Sequence, residues 1–381
     1  MLMNGKMDEK IKRLLQWSMG KKAAPYMLEI WPTFKCNLSC IFCAHNLERK
    51  TRDVDYSKEI KLNRWLEILD EAHNMDVKLI RLAGGGEPMN VDNISLFTTK
   101  VKSLGMKGTM TTNGTLFDES LIKSLVKSGW DEIEFSIDGP NAEIHDYFRG
   151  KSFDKIIDTL KLFNHYKKEF GNDKPEIYFN TVFNKLNFEK IDQMLELANK
   201  VSCKKILLLN LNVDTPESEK LKLSKEQIKN FNENISSLKN KAKELNVYLC
   251  LNLVNYLRDE KKKEDFILPN ISKNFRFLEV PCFEPWYSMQ IRHDGLISPC
   301  YASFFNKERK MHAESLESMW YGNHMNNIRD NLLQKKLIGS CSSCMDSVNL
   351  HNSSRIRNEL VDAYLKIKPN EEFVLNKIKN A

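Results

Sequence analysis

The stretch YMLEIWPTFKCNLSCIFC, residues 26–43, begins as an apolar, strand-like run and ends in three cysteines spaced Cys36-x3-Cys40-x2-Cys43. Similar strand-like runs recur at 77–83 (VKLIRLA), 108–112 (GTMTT), 132–137 (EIEFSI), 176–182 (EIYFNTV), 205–211 (KILLLNL) and 247–254 (VYLCLNLV). Helical patterns fill the intervals. Leu62, Trp65, Leu66, Leu69 and Ala72 follow the i, i+3, i+4, i+7 spacing of one helix face. Asp118 stands as an N-cap before Leu121, Ile122, Leu125 and Val126. Ser224 with Gln227 forms a capping box ahead of Ile228, Phe231, Ile235, Leu238 and Ala242. Such alternation predicts a parallel sheet with right-handed crossovers, and six or seven strand-helix units predict an α/β fold of the open, partial-barrel kind. Ligands in that architecture sit at the carboxyl ends of the strands. Cys36 to Cys43 follow the first strand, Gly84 to Pro88 the second, and Asn113 with Gly114 the third, so the chemistry-bearing residues gather at one end.

The remaining composition is that of an ordinary folded protein, with 41% of 381 residues apolar and 29% charged, well away from the signature of disorder. A formal charge of +7 comes from 58 Lys and Arg against 51 Asp and Glu, with most lysines beside glutamates on helical faces. No basic stripe with interleaved aromatics is present, so no nucleic-acid partner is expected. No window approaches the ~18 consecutive apolar residues of a membrane span, and MLMNGKMDEKIKRLLQW lacks a secretory apolar region. A cytoplasmic place without a membrane partner is the expectation. In a reducing compartment, nine cysteines point to metal or catalysis instead of disulfides.

Each iron of a 4Fe-4S cubane takes a ligand beyond its sulfides, and the usual protein donor is a cysteine thiolate. Three closely spaced cysteines wrap three corners and leave the fourth iron open for a small molecule, as catalytic zinc sites keep one position free. On spacing alone, incidental cysteines or three quarters of a zinc site compete with that reading. WPTFKCNLSCIFCAHN nevertheless resembles the signature loop of the radical S-adenosylmethionine enzymes in spacing, in its place after the first strand, and in Phe42 before the third cysteine. The resemblance covers about residues 26 to 350. It implies that the open iron binds the amino and carboxylate groups of S-adenosylmethionine, whose reductive cleavage gives a 5'-deoxyadenosyl radical that takes hydrogen from a substrate. It further implies that Gly85-Gly86-Glu87-Pro88 contacts the cofactor's amino group. Ser136 and Arg149 are implied to hold its carboxylate and ribose, and Asn113 and Phe42 to line its site. A flavodoxin- or ferredoxin-type electron donor is the expected protein partner.

A second group, Cys282, Cys300, Cys341 and Cys344, reads C-x17-C-x40-C-x2-C. YSMQIRHDGLISPC (287–300) reads as a hairpin, Asp294-Gly295 supplying the positive φ angles of a two-residue turn. Four thiolates close a site, and from the cysteines alone zinc competes with iron and sulfide. PCFEPWYSMQIRHDGLISPC, SLESMW and CSSC resemble the SPASM, or shorter twitch, extension of radical enzymes, which holds an auxiliary 4Fe-4S cluster. A full SPASM extension has more cysteines and can hold two clusters; four imply one, as an electron conduit. The expected organisation is an N-terminal helical segment (1–25), a partial (β/α)6 TIM-like barrel (26–255), a small α+β SPASM/twitch module (256–350) and a C-terminal helical tail (351–381).

Cys203 and Cys250 read as core residues or, more sharply, as hydrogen donors to a substrate radical, as in related epimerases. His45 and His293 take no role. Radical chemistry with one auxiliary cluster resembles that of 2-deoxy-scyllo-inosamine dehydrogenase, so an oxidoreductase acting on a small polyhydroxy or amino-sugar substrate is the leading expectation. Peptide modification, by thioether formation or epimerisation, is the alternative. About 25 residues before the first strand, too few for the leader-binding domain often fused to peptide-modifying relatives, weigh modestly against it. A zinc-bearing binding module is the reading from another class.

Overall fold

The structure, a computed structural model, describes residues 7–251, 273–300, 314–338, 341 and 347–379. The elements, in chain order, are α1 (Glu9–Ser18), β1 (Met27–Ile30), α2 (Ala44–Thr51), α3 (Leu62–Asn74), β2 (Leu79–Leu82), α4 (Ile94–Ser103), β3 (Lys107–Thr112), α5 (Glu119–Ser128), β4 (Glu132–Ser136), α6 (Ala142–Arg149) and α7 (Phe153–Glu169). Then come β5 (Glu176–Val182), α8 (Ile191–Lys200), β6 (Lys205–Leu209), α9 (Pro216–Glu219), α10 (Lys225–Glu244), β7 (Tyr248–Cys250), β8 (Ser288–Ile291), β9 (Ile297–Ser298), α11 (Leu316–Trp320), α12 (Asn323–Leu333), α13 (Ser347–Ile367) and α14 (Glu372–Lys379). The chain forms two compact units: Ile30–Leu66 with Ile80–Arg258, and Met1–Glu29 with Glu67–Leu79 and Asp259–Ala381.

In the barrel unit β2 to β7 stand in chain order, and β3 through β7 pair in parallel register. Each strand from β1 to β6 is followed by a helix, which is the six-fold β/α repeat expected from the sequence. The predicted caps are present: Asp118 accepts from Leu121 N, and Ser224 and Gln227 form a reciprocal capping box. Period-two alternation sorts the strand residues. Ile133, Phe135, Ile177, Phe179, Ile206 and Leu208 are almost fully buried on one face. The opposite face carries Glu134, in register with Thr111 and Tyr178, and Ser136, in register with Asn180, which continues to Leu207 and Cys250.

That inner face is polar. Arg81 Nη2 donates to Glu134 Oε2 at 2.8 Å, Thr111 Oγ1 to the same oxygen at 2.8 Å, and Asn180 Nδ2 at 2.8 Å. Burial pushes the Glu134 carboxyl up, but Arg81 and the two neutral donors outweigh it and hold the group below its usual value. Four strands are thus tied by one satisfied carboxylate, which a barrel interior tolerates only when every donor is in place.

The second unit is built on packing. Leu14, Leu278, Phe283, Trp286, Leu360 and Val361 share one apolar cluster. Two buried arginines cap carbonyls around it: Arg329 Nε donates to Pro285 O at 2.9 Å, and Arg357 donates to Leu278 O and Val280 O at 2.8 and 2.9 Å. Burial pushes both guanidinium groups down to about 10. The hairpin expected at 287–300 is present, with Gln290 opposite Ser298 and Ile291 opposite Ile297. Its turn differs from the expected two-residue type. Arg292 N bonds Leu296 O at 2.9 Å and Gly295 N bonds Arg292 O at 2.9 Å, so the loop is His293 to Gly295. Only Gly295 takes a positive φ, 80°, the arrangement of a type I turn closed by a glycine bulge. Among the described residues, no helix is long and apolar enough to cross a membrane.

Candidate active site

A cavity of about 300 Å³ lies in the barrel unit, lined from the carboxyl ends of its strands. Cys36, Cys40, Phe42 and Cys43 reach it after β1, Gly85, Gly86 and Glu87 after β2, Asn113 after β3, Ser136 from the end of β4, and Arg149 from the end of α6. Of the cofactor-site residues predicted from sequence, only Pro88 stays off the lining; it is buried at the start of the single helical turn Pro88–Asn90.

The cysteine loop and the glycine turn are stitched together. Glu59 accepts from Thr33 Oγ1 and from Phe34 N at 2.7 Å, fixing the base of the loop. Gly86 N donates to Thr33 O at 3.0 Å and Glu87 N to Lys35 O at 2.8 Å. A Cβ at Gly86 would stand 2.0 Å from Lys35 O, so only glycine allows the two backbones to approach. Arg49 Nη1 bridges the same pair, donating to Phe34 O at 3.2 Å and Gly85 O at 3.0 Å.

The motif that contains Glu87 was expected to contact the cofactor's amino group, and the Glu87 oxygens themselves are engaged within the protein. Oε1 accepts from Thr112 Oγ1 at 2.6 Å and Met89 N at 3.2 Å, and Oε2 from Asn113 N at 2.7 Å. Burial pushes this carboxyl up, against the pull of those three donors. Glu87 therefore ties the glycine turn to the end of β3. Arg149 likewise has a protein partner: Nε donates to Asp138 Oδ2 at 2.5 Å, Nη1 points to Cys40 Sγ at 3.9 Å, and the guanidinium covers the Phe42 ring at 5.3 Å. Burial works against its charge, but Asp138 together with the Cys40 and Cys43 sulfurs outweighs it and raises its pKa.

Burial also pushes the Cys36 thiol up and the Cys40 thiol up to about 11. Bare thiolates are costly there, whereas a metal deprotonates a coordinating thiol outright. Among the described residues no three His, Cys, Asp or Glu side chains converge on a single-ion position. The three thiols are free and line one cavity, a donor set that suits three corners of a cluster better than one ion.

The hydrogen-donor candidates separate. Cys203 precedes β6, at the amino end of the barrel, is 2% exposed, and donates to Lys205 O at 3.1 Å. Burial pushes its thiol up to about 12. It is not part of the cavity lining, and its place and burial favour the core reading over the hydrogen-donor one. Cys250 ends β7 in the inner row that contains Ser136, though it is not part of the cavity lining. Sequence reasoning missed His45, Arg49, Thr111, Asn210, Asn212 and Asp214, all on the cavity wall. The last three follow β6, and the carboxyl-end rule applied to KILLLNLNVD finds them. Arg49 and His45 carry no comparable signal.

In the second unit, Cys282 lies between Val280 and Phe283 of the apolar cluster, Cys300 O accepts from Ser298 Oγ at 2.6 Å, and Cys341 N donates to Ile338 O at 2.9 Å. The fourth predicted ligand, Cys344, lies outside the described residues.

Comparison with known proteins agrees with this geometry. Residues 30–198 match the Radical SAM superfamily and residues 282–345 the SPASM iron-sulfur cluster-binding domain. The chain is 30% identical to the tungsten-containing aldehyde ferredoxin oxidoreductase cofactor-modifying protein of Pyrococcus furiosus, over 49% of this chain and 51% of that one. It is 28% identical to the PqqA peptide cyclase of Granulibacter bethesdensis, over 47% of this chain and 45% of that one. The chain thus spans about half the length of the curated relatives it matches. Its fold resembles Streptococcus suis SuiB bound to S-adenosylmethionine, with a TM-score of 0.62 and 22% identity over 81% of this chain and 68% of that one. The chain belongs to the radical S-adenosylmethionine superfamily, carries a C-terminal SPASM domain, and has S-adenosylmethionine and 4Fe-4S clusters as its cofactors.

Proposed function

We propose that the chain modifies a peptide by abstracting one of its hydrogen atoms. The observation that carries the radical chemistry is the meeting of three free thiols, a glycine turn, Ser136 and Arg149 on one cavity. The peptide as substrate is supported by the relative named for the PqqA peptide. Sugar dehydrogenation, the leading expectation from sequence, has no counterpart among the relatives described above and gives way to this reading.

Cys36, Cys40 and Cys43 would hold the cluster, which with S-adenosylmethionine supplies a 5'-deoxyadenosyl radical that takes hydrogen from the substrate. Ser136 and Asn113 present polar groups to the cavity, and Arg149 a buried cation whose position Asp138 sets. Cys282, Cys300, Cys341 and Cys344 would hold the auxiliary cluster.

Between thioether formation and epimerisation, the inner-row place of Cys250 favours epimerisation. Its thiol would give a hydrogen atom to the face of the planar substrate radical opposite the one that lost hydrogen. The resulting thiyl returns to thiol with one electron and one proton, the electron coming from a flavodoxin- or ferredoxin-type donor.

The test is turnover in D2O with any short peptide found encoded near the gene as the candidate substrate. Epimerisation gives an inverted residue carrying one deuterium, and Cys250→Ala stops it while 5'-deoxyadenosine still forms. Loss of two hydrogens without deuterium would favour thioether formation, and no change in the peptide would overturn the reading.

A further inference from the structure

Asn113 is 6% exposed at the end of β3, and its amide orientation is forced by its neighbours. Thr115 N, which can only donate, lies 3.0 Å from Asn113 Oδ1, and Thr115 Oγ1 lies 2.7 Å from the same oxygen. The nitrogen must therefore face the other way. Of its two hydrogens, one meets Asn37 Oδ1 at 2.9 Å, and the remaining acceptor within reach is Cys36 Sγ at 4.0 Å. Asn37 is itself held, its Nδ2 donating to Thr115 Oγ1 at 2.8 Å. Glu87 fixes the backbone from the far side by accepting from Asn113 N at 2.7 Å. One amide hydrogen is thereby aimed at a cluster-ligand sulfur by four surrounding groups, in addition to Leu38 N, which lies 3.5 Å from the same sulfur.

We propose that Asn113 sets the reduction potential of the cluster through an N–H···S contact to Cys36, with Asn37, Thr115 and Glu87 as its positioning residues. The proposal rests on the placement of the cluster at Cys36, Cys40 and Cys43. Hydrogen bonds to the sulfurs are among the levers that tune such potentials. A donor on the thiolate sulfur stabilises the more negative, one-electron-reduced state, so the contact makes reduction easier. This would matter for a reaction that begins with electron transfer from the cluster, because a cluster that is harder to reduce is less often loaded with that electron. The role is separate from any contact Asn113 makes with S-adenosylmethionine, since it acts on the cluster before the cofactor binds.

The test is an EPR-monitored redox titration of the anaerobically reconstituted full chain without S-adenosylmethionine, with the cluster identified as the one whose spectrum changes when S-adenosylmethionine is later added. Asn113→Leu, close in size but without the N–H, is expected to make one-electron reduction about tenfold less favourable, a lowering of about 59 mV. Asn37→Leu leaves Asn113 in place but removes the acceptor that orients it, and should shift the potential in the same direction by a smaller amount. An unchanged potential in Asn113→Leu overturns the proposal. Should that variant fail to hold iron, Asn37→Leu decides, and an unchanged potential there overturns it equally. A signal responsive to S-adenosylmethionine that survives replacement of Cys36, Cys40 and Cys43 by Ala would instead refute the placement of the cluster, a different failure from an unmoved potential.

Discussion

Cys36, Cys40 and Cys43 come from eight consecutive residues framed by hydrogen bonds, whereas Cys282, Cys300 and Cys341 are spread over about sixty residues, and the chain on either side of Cys282 belongs to an apolar cluster. Around the first group, Glu59, Arg49, Glu87 and Asn113 place individual atoms by directional contacts of 2.7 to 3.2 Å. In the second unit, Val280 and Phe283, which flank Cys282 in sequence, belong to an apolar cluster with Phe277, Leu278 and Trp286. A site that must leave one corner open needs its sulfurs aimed, and hydrogen bonds aim. A site fed by distant segments first needs those segments brought together, and non-directional burial does that.

Changes to the two frames should therefore fail differently. The largest effect is expected from the Cys36→Ala, Cys40→Ala, Cys43→Ala variant: 5'-deoxyadenosine formation falls to background, and iron drops from about eight to about four per chain. Retention of cofactor cleavage would break the assignment. Next, Phe283→Ala removes a fully buried ring and should cost about 3–5 kcal/mol in denaturant unfolding. Iron should again fall by about half, this time with cofactor cleavage intact. If cleavage disappears with it, the two frames are not separable.

Gly86→Ala probes the polar frame without touching a ligand. Its Cβ would overlap Lys35 O at 2.0 Å, so the turn must move. The expected result is roughly 1–3 kcal/mol of lost stability and a raised KM for S-adenosylmethionine at unchanged iron content; an unchanged KM would show that the turn does not position the cofactor.

The smallest effect is in pH. His145 Nδ1 accepts from Asp138 N at 3.2 Å and Nε2 faces Ser152 Oγ at 3.0 Å, which fixes a neutral ring. Burial lowers its pKa from 6.5 to about 4. The unfolded chain therefore binds the extra proton between those values, so this contribution is complete above about pH 6.5 and is lost as pH falls towards 4. The loss amounts to on the order of 2 kcal/mol by pH 5. Unfolding midpoints of His145→Gln should lack that component between pH 7.5 and pH 5; an identical slope in the variant would assign the acid sensitivity elsewhere.

Much of the barrel was legible because period-two and period-3.6 patterns report burial directly. All seven predicted strands are present, the last reduced to Tyr248–Cys250 among the described residues. The cysteine loop was legible because its ligands are contiguous. The hydrogen bonds of Glu87 were not legible because sequence order places a residue in a loop without saying which way its carboxylate turns. The hairpin turn was misjudged by one residue because Asp-Gly suits both a two-residue turn and a glycine-closed three-residue loop. Arg49 was invisible because its contacts are to main-chain carbonyls of two other loops, which leave no trace in residue type.

The shared carboxylate of Glu134 has a consequence for anyone who would retarget this catalyst. Arg81, Thr111 and Asn180 all converge on it, so substitutions at these four positions, one on each of β2 to β5, will interact non-additively. Strands β6 and β7 contribute no member of that network among the described residues. Leu207 is the direct strand partner of Asn180, whereas Leu209 pairs with Val182, so Leu209 is the inner-row position of β6 expected to couple to the network least.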